Sequence, residues 1–271
     1  MSLAARPRPS AAPRPAATDA AAIDRYRAPA LDKGLDILEL LGEQPHGLTR
    51  GEIVKAMGRG PSEIYRMLER LVARHYVTRS PEGDRYALSL KLFVVAHRHP
   101  PVRRLVSHAL PAMEAFTKAA EQSCHLGVHE GGNVVIVAQA GSPGNWGLST
   151  RLGARVSLVD TGSGHVLLAF QTDETRAEMI ALHEVVEGER PIDASQLRTR
   201  LERVRELGYW EGDSQQAYGV TDISVPVLGP YGDALAVLTC PYLRRIDGHV
   251  WPDLAATRGL LQRAATSLSI A

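Results

Sequence analysis

Residues Leu48–Tyr76 read LTRGEIVKAMGRGPSEIYRMLERLVARHY. In Thr49–Met57 the apolar residues Ile53, Val54 and Met57 fall on one helical stripe. Thr49 suits the N-cap of that helix, and Glu52 three residues on completes a capping box. Gly58 and Gly60 interrupt it, and Pro61 then opens a second helix at the position where a missing N–H costs nothing. In the second helix Ile64, Met67 or Leu68, Leu71 and Val72 recur at helical spacing, which turns Ser62, Glu63, Tyr65, Arg66, Glu69 and Arg70 outward. A short helix, a Gly-rich turn and a second helix with polar and basic residues at its outward start form the pattern of a helix-turn-helix. In that motif the second helix enters the DNA major groove and its first residues reach base edges. An ordinary antiparallel helix pair has the same spacing, so the next residues matter. Val77–Ser80, Pro81–Asp84 and Arg85–Leu88 read as strand, turn and strand. A hairpin directly after a recognition helix is a wing, and Arg79 and Arg85 stand at its shoulders, placed to meet phosphates.

Upstream, Leu31–Leu41 is an amphipathic helix with Leu31, Leu35, Leu38 and Leu41 as its expected buried stripe, broadened by Ile37 and Leu40. It is the first helix of a three-helix winged domain whose core takes Ile53, Ile64, Leu68 and Leu71. The stretch before it is rich in Ala, Pro and Arg, lacks large apolar residues and predicts a disordered leader over 1–28. Downstream, Ser89–His97 reads as a helix broken by Pro100 and Pro101, and Val102–Glu121 as a longer helix kinked or restarted near Pro111. Such a connector suits pairing of two chains or a simple spacer. A hairpin follows, His125–Glu130 and Val134–Gln139 around Gly131-Gly132-Asn133. Further strands are expected at Trp146–Leu148, Val156–Leu158, Ile223–Leu228 and Leu235–Thr239, and helices at Gly164–Phe170, Thr175–Leu182, Ala194–Leu207 and Asp253–Leu268. The fold class is therefore α+β, with an antiparallel sheet carrying helices on one side. The domain plan is a leader over 1–28, a winged helix-turn-helix over 29–90, a helical linker over 91–110 and a C-terminal domain over 111–271.

With 271 residues the chain has room for two domains. Residues 1–105 carry 18 Lys and Arg against 11 Asp and Glu, whereas residues 106–271 carry 13 against 19. A basic part beside an acidic part fits a nucleic-acid module joined to something else. No apolar run approaches the roughly 20 residues of a membrane span, and no signal core opens the chain, so a cytoplasmic protein is expected. Cys124 and Cys240 lie far apart without a CxxC pair, which argues against a disulfide scaffold and a structural zinc site.

In the first half ALDKGLDILELL, LTRGEIVKAMG, PSEIYRMLERL and a wing followed by RYALSLKL stand in order, and in the second LVDTGSGHVLLAF and ELGYWEGDSQQAYGVTDISVPV. With this ordered set the chain from Leu31 onward resembles the IclR family of bacterial transcriptional regulators. The resemblance implies a winged helix-turn-helix joined by a helix to a GAF-like effector-binding domain. It also implies dimers or tetramers, control of catabolic operons as repressor or activator, and effectors that are small carboxylates or aromatic acids bound without chemistry. The chain departs from the family pattern in places. Ser62-Glu63 replaces the usual Ser-Thr after the proline, so Glu63 either accepts from a cytosine amino group or faces away. Asp222 stands where a Cys is common.

The expected DNA contacts are Thr49, Arg50, Ser62, Glu63, Tyr65, Arg66, Arg70, Arg79 and Arg85. For a ligand, Gly162-Ser163-Gly164 before a helix offers backbone N–H groups to an anion, and small residues let it approach. Matching the family's pocket adds Val156 and Leu158 as walls, Gly162 and Ser163 as donors, and Asp213, Asp222 and Cys240 on facing strands. Two aspartates favour a ligand that brings a donor, such as a phenol, amide or amine, unless they only cap turns. His125 and His129 share a strand face and with His165 offer a metal reading, against the commoner satisfied or surface histidine. No nucleophile elbow, Walker loop or zinc-protease motif is present, so no catalytic residue, metal or cofactor is expected. The expected partners are operator DNA, a small organic acid, aromatic or amide-like molecule, and further copies of the chain. The alternative is a stand-alone ligand sensor or protein-interaction module.

Overall fold

The computed structural model describes residues 28–81, 84–97, 100–145, 147–246 and 249–269. The expected leader through residue 27, the middle of the wing turn and Trp146 lie outside them. The chain divides into two compact units, one up to Arg98 and one from His99 onward.

The first unit holds α1 (Pro29–Gly42), β1 (Leu48–Thr49), α2 (Arg50–Met57), α3 (Pro61–Ala73), β2 (Val77–Arg79), β3 (Arg85–Leu88) and α4 (Lys91–His97). The strands form an antiparallel sheet in the order β1-β3-β2. Ile37, Leu41, Ile53, Ile64, Leu68, Val77 and Tyr86 form the core, with Leu71 partly buried against it. The stripe of α1 differs from expectation. Ile37 and Leu41 are buried, while Leu31 and Leu35 are 61% and 47% exposed. An i,i+4 pair at 37 and 41 meets α3 and β3, and the first turn runs past the edge of this small core. Thr49 and Glu52 form the capping box on α2, and Gly58 ends that helix in the left-handed region at φ 59°. Pro61 opens α3.

The second unit holds α5 (Pro100–Ala120), β4 (Cys124–Glu130), β5 (Asn133–Ala140), β6 (Arg155–Val156), α6 (Gly162–Ala169), α7 (Asp173–Ala181), α8 (Ala194–Leu207), β7 (Trp210–Asp213), β8 (Val220–Leu228), β9 (Ala234–Leu243) and α9 (Leu254–Leu268). α4 ends at His97, and Pro100 and Pro101 open α5, where a first turn needs no N–H donors. Pro111 does not divide the helix. Its neighbours Ala109, Met113, Phe116 and Ala120 lie buried at helical spacing and hold it to the sheet.

Six strands form one antiparallel sheet in the order β6-β5-β4-β9-β8-β7. Helices cover both of its faces, contrary to the one-sided expectation. α5 and α9 pack on one face against Leu126, Ile223, Val225, Leu238 and Cys240. α6, α7 and α8 pack on the other against Val134 and Val237. The strands β8 and β9 are apolar on alternate and adjacent positions alike, as strands buried on both faces must be. Gly147 and Leu148 are not in a strand, and β7 is a strand that periodicity does not reveal.

Candidate functional sites: the recognition helix and the seam beneath the buried helix

Ser62, Tyr65, Arg66 and Arg70 stand exposed on α3, with Ile64 and Leu68 facing the core. Residues 62, 65 and 66 share a face by i,i+3 and i,i+4 spacing. Arg50 at the start of α2 lies over the Tyr65 ring, 5.6 Å from its centroid. Arg59, in the turn between the helices, is also exposed. It belongs to this basic rim, and its position between two glycines is the signal that would have found it. Glu63 turns toward α1, where its carboxylate meets Lys33 Nζ at 2.5 Å. The Lys33 ammonium holds the Glu63 carboxyl below the usual carboxylate range, with Arg59 and Arg66 adding to the effect. Of the two alternatives for Glu63, the geometry favours facing away from the exposed stripe.

Three other expected contacts are partly occupied. The Thr49 hydroxyl donates to Glu52 Oε2 at 2.9 Å and accepts from Glu52 N at 3.3 Å. Its role is to start α2. Arg85 Nη1 donates to the Gly47 carbonyl at 2.9 Å and lies 4.0 Å from Glu52. Arg79 lies over the Tyr86 ring at 5.6 Å. Arg85 ties the wing to the loop at Gly47 and Arg79 packs within the wing, and both side chains stay at the surface.

In the second unit every residue of α6 is buried. Thr161 caps it, accepting from Gly164 N, and the N–H groups of Gly162 and Ser163 have no acceptor within the helix. The Ser163 hydroxyl meets Thr239 Oγ1 of β9 at 2.9 Å, and Thr239 in turn donates to Ser224 Oγ of β8 at 2.8 Å. These hydroxyls form a buried polar seam between α6 and the sheet. His125 of β4 is in register with Thr239 and so shares its face. Its Nδ1 is buried without a partner, and burial lowers its pKa to about 4. His165, on α6, donates Nε2–H to the Val159 carbonyl at 2.8 Å. Its Nδ1 is therefore an unprotonated acceptor, buried without a partner. Burial takes His165 to about 4 as well, the Val159 contact opposing and Arg200 adding to the fall.

Asp222 lies on the same face as Ser224, two residues along β8. Burial pushes its carboxyl up to about 6, against a lowering hydrogen bond from Ser214. Val156 and Leu158 pack in the α6-side core. Two expected pocket residues point elsewhere. Cys240 is one position beyond Thr239, so strand alternation carries its thiol into the α5–α9 core. Asp213 pairs with Thr221, not Asp222, so it lies on the opposite face, and it is exposed. The glycines also differ in role. A Cβ on Gly162 would meet the Trp210 indole at 2.2 Å, and one on Gly164 the Leu158 carbonyl at 2.0 Å. They admit protein neighbours to α6. Thr239, Ser224, His125 and Trp210 are thus the seam residues that the expected set lacked. For the first three, a single hydroxyl or imidazole amid apolar strand positions is the signal.

A separate cleft of about 1080 Å³ runs between α7 and α8 over Ile192, Leu197 and Leu201. Its Arg176 and Arg205 are tied to the last carbonyls of α6, at Leu168 and Ala169. It contains neither Ser163 nor Asp222. Among the described residues no three His, Cys, Asp or Glu side chains gather as a metal site, and no helix is long and apolar enough to cross a membrane.

A winged helix with an exposed basic recognition face, in one chain with a sheet domain built over a polar seam, defines the class of helix-turn-helix transcriptional regulators. The family models agree. The IclR helix-turn-helix domain matches residues 30–81, and the C-terminal domain of bacterial IclR regulators matches residues 101–269. The chain belongs to the IclR family of bacterial transcriptional regulators. It is 30% identical over 213 residues to the HTH-type transcriptional regulator KdgR of Escherichia coli, covering 78% of this chain and 80% of that protein. It is 27% identical over 245 residues to XynR of the same organism, covering 88% and 95%. In fold it is similar to an IclR homolog from Microbacterium hydrocarbonoxydans, complexed with 4-hydroxybenzoate, with a TM-score of 0.72 at 21% identity, covering 89% of this chain and 97% of that one. The Thermotoga maritima IclR gives 0.70 at 21%, covering 88% and 96%.

Proposed function

We propose that this protein is a cytoplasmic, ligand-responsive regulator that binds operator DNA through α3 and the wing and senses a small organic molecule beneath α6. The observation that carries the DNA half is the exposed face of Ser62, Tyr65 and Arg66 on a helix-turn-helix with a wing. Ser62, Tyr65 and Arg66 read bases. Arg50, Arg59, Arg70, Arg79 and Arg85 meet the phosphate backbone. The domain plan is a DNA-reading part over 29–90, a connector over 91–110 and a GAF-like sensing part over 111–271. Membership of the IclR family supports a catabolic operon as the target, and the 4-hydroxybenzoate complex of the Microbacterium homolog supports a small acid as effector.

The chain works as a homodimer or a dimer of dimers. Leu31, Leu35, Phe93, Val94 and Val95 are exposed apolar residues of α1 and α4, and a second copy covers such surface. Effector binding shifts a two-state equilibrium of the assembly, by no more than the effector's differential affinity for the two states.

The test is fluorescence anisotropy of the full chain on a duplex selected from a random pool, at several salt concentrations. Affinity falls steeply with salt, and Arg66→Ala lowers affinity for the selected duplex by roughly 5- to 150-fold, the worth of one base contact. Failure to select any duplex, or an Arg66→Ala protein that binds as well as the parent, passes the reading to the stand-alone sensor.

A further inference from the structure

Resting on the reading of the α6 seam as the effector seat, we propose that Asp222 makes the seat selective for a hydroxylated acid, with the acid group at the start of α6 and a hydroxyl donated to Asp222. Three observations on one sheet face carry this. The first is the start of α6, where Gly162 and Ser163 keep N–H groups with no intrahelical acceptor, and such a helix start favours an anion. The second is the unsatisfied chemistry beside it. His125 is 6% exposed, and its Nδ1 has no partner, next to the Thr239 hydroxyl that bonds Ser163. Native folds rarely leave such a group unpaired unless a ligand or water completes it.

The third observation is Asp222 itself. It sits across from Gly212 and Pro241, neither of which brings a side-chain donor. Ser214 is its hydrogen-bond partner, and a carboxylate has room for further donors. No charged side chain among the described residues acts on it. The groups around this face are the Cys240 thiol behind the strand, His125 and His165 across the seam, which burial keeps neutral, and the Arg200 guanidinium of α8, which lies over Trp210 and acts on His165. A plain alkanoate would bring a second anion to this face with nothing to offer Asp222. An acid with a hydroxyl several bonds from its carboxylate satisfies both ends.

The charge on Asp222 also sets the direction of the pH response. A bound anion favours the protonated carboxyl, so affinity for a hydroxy acid falls as pH rises through the range where Asp222 ionises. A ligand presenting an ammonium to Asp222 would show the opposite slope. The two chemistries are therefore separable by sign.

The experiment titrates the full chain by calorimetry at pH 5.5, 7.0 and 8.5 with four matched probes: 5-hydroxypentanoate, pentanoate, 1,5-pentanediol and 5-aminopentanoate. The expected result is that, at pH 5.5, 5-hydroxypentanoate binds ~10-fold more tightly than pentanoate or the diol, the upper effect of one hydrogen bond to a neutral carboxyl, and that it binds more weakly at pH 8.5 than at 5.5. In Asp222→Leu the ratio of hydroxypentanoate to pentanoate affinity collapses to about one. In Asp222→Asn, which keeps an acceptor, the preference survives and the pH slope disappears. Equal binding of pentanoate and its hydroxy form overturns the proposal, as does tighter binding of 5-aminopentanoate with affinity rising with pH. Binding of none of the four overturns it too and leaves the DNA reading standing, since that is measured on the duplex without ligand.

Discussion

A methyl group on Gly164 would lie 2.0 Å from the Leu158 carbonyl oxygen, a backbone atom that cannot turn aside. The contact joins α6 to the loop that Ser157 ties by accepting from Val159 N and Asp160 N. Gly164→Ala therefore forces the helix away from the seam, at a cost of about 3 kcal/mol, the upper end for overpacking. Urea unfolding of the full chain checks this: the midpoint of the second unit falls, and ordinary stability would mean that α6 has slack the contact does not suggest. Neighbouring positions in β9 illustrate the same sensitivity. Thr239 bonds Ser163 while Cys240, one residue on, is buried with the thiol pushed well up by desolvation. Picking the cysteine as the pocket residue fails because a one-residue step reverses the face of a strand. Nothing local to the residue marks which face a ligand meets. That depends on where α6 docks, which is a property of the tertiary fold.

At the scale of elements, legibility follows how local the determinant is. The ends of α2 and α3 are set by Thr49, Glu52, Gly58 and Pro61 within a few residues, so the helix-turn-helix is readable from its own stretch. Helix α8, with Asp193 accepting from Ser195 N and Gln196 N and with Gly208 in the left-handed region, is equally self-declaring. Strand β7 is not, because Trp-Glu-Gly-Asp has little strand propensity and becomes a strand by pairing with β8. Consequently Asp213 could not be assigned a face, nor Trp210 a place over α6. The stripe of α1 is legible only in its second half, where Ile37, Leu38, Leu40 and Leu41 meet the core, because the size of the three-helix core decides that Leu31 and Leu35 stay outside it. The cap on α2 gives the prediction belonging to this scale. Thr49→Ala removes the hydroxyl half of the capping box, leaves Glu52 to accept from the N–H of residue 49, and costs about 1 kcal/mol. Faster amide exchange confined to α2 and its turn, with the second unit unchanged, is the expected readout. Uniform loss of protection would mean that the two helices open as one unit.

For the whole molecule, the buried titratable groups of the sheet domain pull stability in opposite directions with pH. His125 and His165 fall from 6.5 to about 4 on burial, so the unfolded chain binds more protons between those values. Stability from each is present above pH 6.5 and is lost as pH falls toward 4, by roughly 3 kcal/mol per histidine from the size of the shift. Asp222 opposes them. Its carboxyl rises from 3.8 to about 6, so its contribution is present below pH 3.8 and is lost as pH rises to 6, also on the order of 3 kcal/mol. Two histidines outweigh one aspartate, so the net expectation is a sheet domain that gains on the order of 3 kcal/mol between pH 4 and 6.5 and then levels off. Glu52, Glu63 and Asp193, whose hydrogen bonds or ion pairs lower their carboxyls, act in the same sense only at more acid pH. Urea midpoints of the full chain at pH 4.5, 5.5, 6.5 and 7.5 test the balance. In Asp222→Asn the rise between pH 4.5 and 6.5 steepens, because the opposing group is gone, and the protein is more stable than the parent at pH 7.5. In His125→Gln the rise nearly disappears, because the one remaining histidine and Asp222 then offset each other. A parent protein whose stability is flat across this range, or an Asp222→Asn protein weaker at pH 7.5, would mean that the seam is wetter than its buried side chains indicate. The pH slope of ligand binding expected at Asp222 would then vanish with it.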